Sequence, residues 1–212
     1  DAGTKEIVHR LITNVQRASG LISQILTFAK GSKEEREPIN VKNIIDEVIK
    51  ITRETFPKEI AVVVSMPREG LIVDGNSTQI HQIIMNLCIN ARDAMAVLGG
   101  TLTVEAGYVV ATESLLKRFI DAKPGAYVTI SVRDTGKGIP VELHDKIFEP
   151  FFTTKDVGKG TGIGLTTVFA IVRNHGGFIT LESEVEVGTT FTIYIPVSQS
   201  KAEVIGTANE VV

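Results

Sequence analysis

Asp134-Thr135-Gly136-Lys137-Gly138-Ile139-Pro140 leads through a short connection to Phe148-Glu149-Pro150-Phe151-Phe152-Thr153-Thr154-Lys155, and on to Gly158-Lys159-Gly160-Thr161-Gly162-Ile163-Gly164-Leu165. Two glycine clusters flank a basic, hydroxyl-bearing segment. Glycine lacks Cβ and tolerates positive φ, so such clusters let a backbone pass close to a polyanion, and a phosphate-bearing ligand is the first expectation. Turns alone would also account for the glycines. The P-loop pattern G-x-x-x-x-G-K-[ST] fits no register between Gly158 and Thr166. The dinucleotide pattern G-x-G-x-x-G, counted from Gly136, Gly158, Gly160 or Gly162, ends on Val141, Ile163, Leu165 or Thr167. A Walker site and a Rossmann site are thereby excluded.

Around this stretch, residues 101–110 and 126–134 are strand-like, with a short helical insertion near 113–120 between them. Residues 163–174 predict a helix stopped by Gly176-Gly177, and 178–183 with 189–196 a closing hairpin across Val187-Gly188. Upstream, Asn40 caps a helix carrying Val41, Ile44, Ile45, Val48, Ile49 and Ile51. Residues 60–66 and 71–73 read as strands around Pro67-Arg68-Glu69-Gly70, and a long helix, 77–97, opens at Asn76 and ends at Gly99-Gly100. These elements do not alternate as a βαβ array. The predicted fold is α+β, a two-layer α/β sandwich with a mixed, mostly antiparallel sheet and helices on one face, preceded by a bundle-type helix. That first helix, 4–30, spaces Val8, Leu11, Val15, Ala18, Ile22, Ile25 and Ala29 by alternating threes and fours, an a/d seam that needs partner helices. Residues 31–38 form a charged linker, and 199–212 an aperiodic tail or linker.

A chain of 212 residues with 43% hydrophobic content can bury one core and carry an appendage. The net charge of −3, without a long basic run, argues against nucleic acid as a partner. The single cysteine, Cys88, excludes an internal disulfide and reads as a core residue. No apolar run reaches the ~18 residues of a membrane span, so the fragment is expected to be cytoplasmic and not membrane-embedded, its parent open to membrane anchoring. The chain starts at Asp1 and is expected to be a piece of a longer protein.

On the 77–97 helix, Ile80, Ile83, Ile84, Leu87, Ala91, Ala94 and Met95 define the buried side, while Asn86, Asn90 and Asp93 share another face. Asparagine brings no benefit in mid-helix, so the face is either simply solvated or functional. An amide oxygen suits magnesium, which keeps most of its waters and phosphate ligands.

In order, the chain presents Asn-x-x-x-Asn-Ala-x-x-Ala, Asp-x-Gly-x-Gly, Phe-x-Pro-Phe-Phe-x-x-Lys, Gly-x-Gly-x-Gly-Leu and Gly-Thr-x-Phe. This series resembles the ATP-binding domain shared by sensor histidine kinases, DNA gyrase, the heat-shock chaperone and the mismatch-repair ATPases. It is most similar to histidine kinases of the nitrogen-regulatory-like group. The resemblance covers about 38–197 and implies ATP and Mg2+ as cofactors. It implies Asn90 as the magnesium ligand, with Asn86 and Asp93 beside it, and Asp134 as acceptor for the adenine amino group, supported through water by Thr189. Gly136, Gly138 and Ile139 would line the base. Phe152, Gly158, Lys159, Gly160, Thr161, Gly162, Ile163, Gly164 and Leu165 would form the lid and the start of the next helix, and Lys155, with Lys159, would reach the terminal phosphates. Phe148, Phe151 and Phe152 would anchor the lid to the core. Asn86 stands where hydrolysing relatives carry an acidic residue that orients water, which favours a kinase.

Such a kinase donates to a histidine followed by an acidic residue, on the first helix of a dimerisation hairpin. His9 is followed by Arg10, and too few residues separate it from Phe28-Ala29-Lys30 for a turn and second helix. The domain expectation is therefore 1–38 as the second hairpin helix and linker, 39–198 as the catalytic domain, and 199–212 as tail. Implied partners are a response-regulator receiver domain and a histidine-bearing hairpin in cis or trans, in a homodimeric parent. His81, His144 and His175 are expected to be structural or surface residues. A serine kinase or an ATPase on the same fold, or a non-catalytic nucleotide-binding module, are the alternatives.

Overall fold

A computed structural model describes residues 36–111, 122–155 and 160–198. The helix expected over 4–30 with His9, the insertion near 113–120, Gly158 and Lys159, and the 199–212 tail lie outside the described residues.

Asn40 ends the first strand, β1 (Glu37–Asn40), and starts α1 (Val41–Thr55). Its extended backbone and side-chain oxygen, which accepts from the Lys42 N–H at 3.2 Å, make it the N-cap. The same oxygen accepts from the Leu71 N–H at 3.1 Å, tying the cap to the strand that follows β2 (Ile60–Ser65). That strand is β3 (Ile72–Gly75), and Asn76 then caps α2 (Ser77–Ala94) by accepting from the Gln79 N–H at 3.0 Å. The remaining elements are β4 (Gly100–Ala111), β5 (Gly125–Asp134), two short 3-10 turns at Val141–Leu143 and Lys146–Phe148, α3 (Gly164–Asn174), β6 (Phe178–Glu184) and β7 (Gly188–Pro196).

Five strands form the main sheet in the order β2-β4-β5-β7-β6. Only the β2–β4 pair is parallel; the other pairs are antiparallel, so the expected mixed and mostly antiparallel sheet is what the chain forms. One face carries Leu102, Val104, Val128, Ile130, Val132, Phe191, Ile193 and Ile195 into a single core with Val41, Ile45 and Val48 of α1, Ile80, Ile83, Ile84 and Leu87 of α2, and Val168, Ile171 and Val172 of α3. Cys88 lies in this core, and burial pushes its thiol up to about 12, which keeps it inert at neutral pH.

The strands expected at 60–66 and 71–73 both form, and they join different sheets: β2 runs parallel to β4, and β3 pairs antiparallel with β1. A parallel partner requires a crossover, and α2 supplies it. Strand β1 went unrecognised because it is four residues long and contains Pro38, which a sheet tolerates only at an edge. One expectation needs correction: α2 ends at Ala94 rather than about Val97, with Met95 buried while Val97 and Leu98 are 93% and 89% exposed.

The close of α3 is a Schellman motif. Gly176, at φ +72°, donates to Arg173 O, and Gly177 donates to Val172 O at 2.9 Å. A Cβ on Gly176 would meet nothing nearer than Pro196 Cγ at 3.7 Å, whereas one on Gly177 would sit 2.1 Å from Tyr194 O. Gly176→Ala should therefore cost only the left-handed strain, about 1–2 kcal/mol. Gly177→Ala should cost clearly more, because backbone of β7 must move, and denaturant unfolding of the two variants checks the order. His175, just before them, has Nδ1 2.8 Å from Ile171 O, and its Nε2 accepts from the Asn76 N–H at 3.3 Å. It is the structural residue expected, joining the end of α3 to the cap of α2.

Candidate functional site

The conformation of Asp134 follows from its place as the last residue of β5, opposite Thr189 of β7. Its side chain is buried and accepts from the Gly136 N–H at 2.8 Å, with the Thr189 N–H as a further donor. Burial pushes this carboxyl above its ordinary value, against the opposing pull of those two N–H groups. Gly136 is required by packing as well as by any ligand, since a Cβ there would lie 2.7 Å from Ala94 at the end of α2. Gly138, at φ +68°, would place a Cβ 2.0 Å from Glu184 O. The Asp134–Gly138 turn is thus clamped between the end of α2 and the β6–β7 hairpin.

Ser183 was not singled out from the sequence, yet it organises the surroundings of this turn. Its hydroxyl accepts from the Ile139 N–H at 2.8 Å, lies 2.9 Å from Thr189 Oγ1 and donates to Gly188 O at 3.1 Å. Its signal was available: a serine in register with Thr189 on the paired strand.

Asn86, Asn90 and Asp93 stand half-buried along one side of α2. Asn86 Nδ2 reaches Gly164 O at 3.4 Å, which ties α2 to the first residue of α3. The Asn90 amide has no hydrogen-bond partner among the described residues. Asp93 is paired through both oxygens: Oδ2 accepts from Lys155 Nζ at 2.5 Å, and Oδ1 from Arg92 Nη2 at 2.7 Å and Nε at 3.0 Å. Burial works to raise the Asp93 carboxyl, but the Lys155 and Arg92 cations outweigh it and hold it below its ordinary value.

The segment between the glycine clusters folds back on this helix. Phe148 packs its ring at 5.7 Å from Phe169 and 6.4 Å from Phe191, and Phe152 lies against the core. Phe151 does not anchor anything as expected: it is 68% exposed and holds φ +67°. That strained backbone lets its N–H donate to Gly162 O at 3.0 Å, and Gly162, at φ +65°, has the main chain of Phe151 2.3 Å from where a Cβ would be. Gly160 likewise packs on Thr153 and Lys155, Thr161 is exposed, Ile163 is buried and Leu165 leans on the core. Helix α3 begins at Gly164 with no side-chain cap, so no side chain competes for its first-turn N–H groups, whose dipole suits an anion.

The two carboxylates should titrate on opposite sides of the ordinary 3.8. The folded value of Asp93 is depressed, so its contribution to stability is full above 3.8 and is lost as pH falls through the lower folded value. Asp134 has a raised folded value, so the folded state binds its proton more tightly, and stability falls as pH rises from 3.8 through that value. Carboxyl-carbon NMR titration checks both; an Asp134 midpoint below that of Asp93 would contradict the burial and ion-pair causes.

A buried carboxylate at a glycine turn, a helix start without a side-chain cap and a helix bearing two half-buried asparagines are carried by one α/β sandwich. The chain belongs to the family of histidine kinase-, DNA gyrase B- and HSP90-like ATPases, whose model matches residues 75–199. It is 38% identical over 183 residues to the sensor kinase CckA of Brucella abortus, an alignment spanning 86% of this chain and 19% of that protein. The sensory histidine kinase/phosphatase NtrB of Azospirillum brasilense is 30% identical over 191 residues, 90% of this chain and 47% of that protein. The catalytic domain of histidine kinase ThkA superposes with a TM-score of 0.62 at 31% identity, covering 79% of this chain and 99% of that one. The chain thus holds the ATP-binding catalytic domain of a two-component sensor kinase, and spans less than half the length of either curated relative.

Proposed function

We propose that the domain transfers the γ-phosphoryl group of Mg-ATP to a histidine on a helical hairpin, for relay to the aspartate of a response-regulator receiver domain. The observation that carries this reading is that α2 brings Asn86 to the uncapped start of α3 and Asp93 to Lys155, while its last residue, Ala94, packs on the glycine turn that follows Asp134. Asp134 and Thr189 hold the adenine amino group, Ile139 and the glycine turn line the base, and the N–H groups of 164–166 receive phosphate oxygens. Lys155 and Lys159 neutralise charge as it shifts toward the leaving oxygen.

Magnesium fits this residue set: the Asn90 amide oxygen, without a hydrogen-bond partner among the described residues, offers one hard ligand. When bound with ATP, that ion supplies charge neutralisation at the phosphates. Asn86 is no general base, so attacking water gains no activation there, which supports transfer over hydrolysis. The hairpin helix at 4–30 with the linker that precedes β1, a tail beyond 198, a homodimeric parent and a cytoplasmic site of action complete the reading. Among the described residues no helix is long and apolar enough to cross a membrane.

Incubation with γ-labelled ATP, with and without a histidine-bearing hairpin supplied in trans, tests the proposal. Acid-labile, base-stable label on the hairpin is the expected result. Acid-stable label would point to a serine kinase, and rapid phosphate release to an ATPase. Asn90→Ala should abolish magnesium-dependent ATP binding in calorimetry, a loss of roughly 10²-fold given the cost of one charged interaction. Full binding by that variant would remove Asn90 from the ligand set.

A further inference from the structure

The proposed phosphate end of the site contains a carboxylate whose position is unfavourable on its own. Asp93 lies one turn beyond Asn90 on the same side of α2, where the phosphates of the proposed nucleotide would meet a negative charge. Both of its oxygens are nevertheless engaged by cations. Oδ1 takes both Arg92 donors, and Oδ2 takes Lys155 Nζ at 2.5 Å, sixty-two residues away in sequence. Lys155 closes the 151–155 segment, whose other end is held by the Phe151 N–H bond to Gly162 O. A lysine stem loses much rotamer freedom when ordered, so a fixed partner determines where its ammonium spends its time.

We propose that Asp93 is a positioning residue: it docks the 151–155 segment onto α2 through Lys155 and aims that ammonium at the terminal phosphate, without itself contacting nucleotide. This rests on the reading of the domain as an ATP-dependent phosphotransferase. Two cations surround one anion, so the local balance is positive despite the carboxylate, and Arg92 is kept in place by the Phe56 ring 5.4 Å from its guanidinium carbon. Lys155 serves the third phosphate, so the pair distinguishes ATP from ADP.

The test is calorimetric affinity for Mg-ATP and Mg-ADP on the 212-residue chain, with unfolding midpoints as the folding control. Asp93→Asn, Lys155→Met and the double variant should each weaken ATP by the same factor, roughly tenfold for one hydrogen bond to a charged group, and leave ADP unchanged. Asp93→Glu should restore most of the loss. If Asp93 were merely a nearby charge, Asp93→Asn would tighten ATP binding by removing repulsion; that sign overturns the proposal. Additive losses in the double variant, or an equal loss of ADP and ATP with Lys155→Met harmless, overturn it too. Absence of Mg-ATP binding in the unsubstituted chain would reject the broader functional reading, and is distinguishable because it needs no substitution.

Discussion

Asp134→Ala is expected to remove adenine nucleotide binding from calorimetric detection, a weakening of at least about 10²-fold, while the domain still folds. Two losses combine. The adenine amino group has no acceptor, and the Gly136 and Thr189 N–H groups that the carboxylate satisfies are left without one. Each such buried donor costs about 1–3 kcal/mol, so the unfolding midpoint should drop as well. Asp134→Asn separates the two effects. Its amide oxygen can keep the Gly136 bond, so most stability should return. Its NH2 group, however, opposes the amino group of adenine and suits the carbonyl oxygen that guanine carries at the same ring position. The ratio of ATP to GTP affinity should therefore collapse in the asparagine variant, because selectivity rests on matching donors and acceptors. Binding of Mg-ADP by Asp134→Ala at the unsubstituted level would remove this residue from the pocket.

The parts of this site that were legible in the sequence are those written in local chemistry. Asn40 and Asn76 announce their helices because a cap needs an oxygen at one position, and both side chains accept the bonds the caps require. Asn86, Asn90 and Asp93 could be placed on one face from helical periodicity alone. What the sequence left dark is set by partners far along the chain. Gly136 and Gly138 suggested room for a ligand, yet their missing Cβ atoms make room for Ala94 and Glu184, contacts no local pattern encodes. Phe151 looked like a buried anchor because most phenylalanines are, and the fold instead uses its backbone, turning the ring outward. The partnership of Asp93 with Lys155 and the parallel pairing of β2 with β4 both span an intervening layer of structure, and neither leaves a periodic trace.

The glycine-rich stretch itself yields the sharpest expected contrast, between two glycines only two residues apart. Gly162→Ala should cost roughly 10²-fold in phosphoryl transfer, the scale expected when reacting groups are misplaced by about an ångström. The backbone at φ +65° already disfavours alanine by about 1–2 kcal/mol, and the added methyl would lie 2.3 Å from the carbonyl carbon of Phe151. Main chain cannot swing aside like a flexible side chain, so the Phe151–Gly162 crossing has to open, freeing the segment that carries Lys155 from the approach to α3. Because the core faces of α2 and α3 are untouched, the unfolding midpoint should move far less than the rate. Gly164→Ala is the counterpart. A Cβ there meets nothing within 4 Å, the residue opens a helix, and alanine leaves its N–H in place. Helix propensity then predicts a gain of about 0.5–1 kcal/mol in stability. If Gly164→Ala stabilises the fold and still weakens Mg-ATP, the phosphates approach α3 on that open side; if it leaves binding intact, they are held by the N–H groups alone. Equal tolerance of alanine at both positions would mean that the crossing at Gly162 does not control the lid.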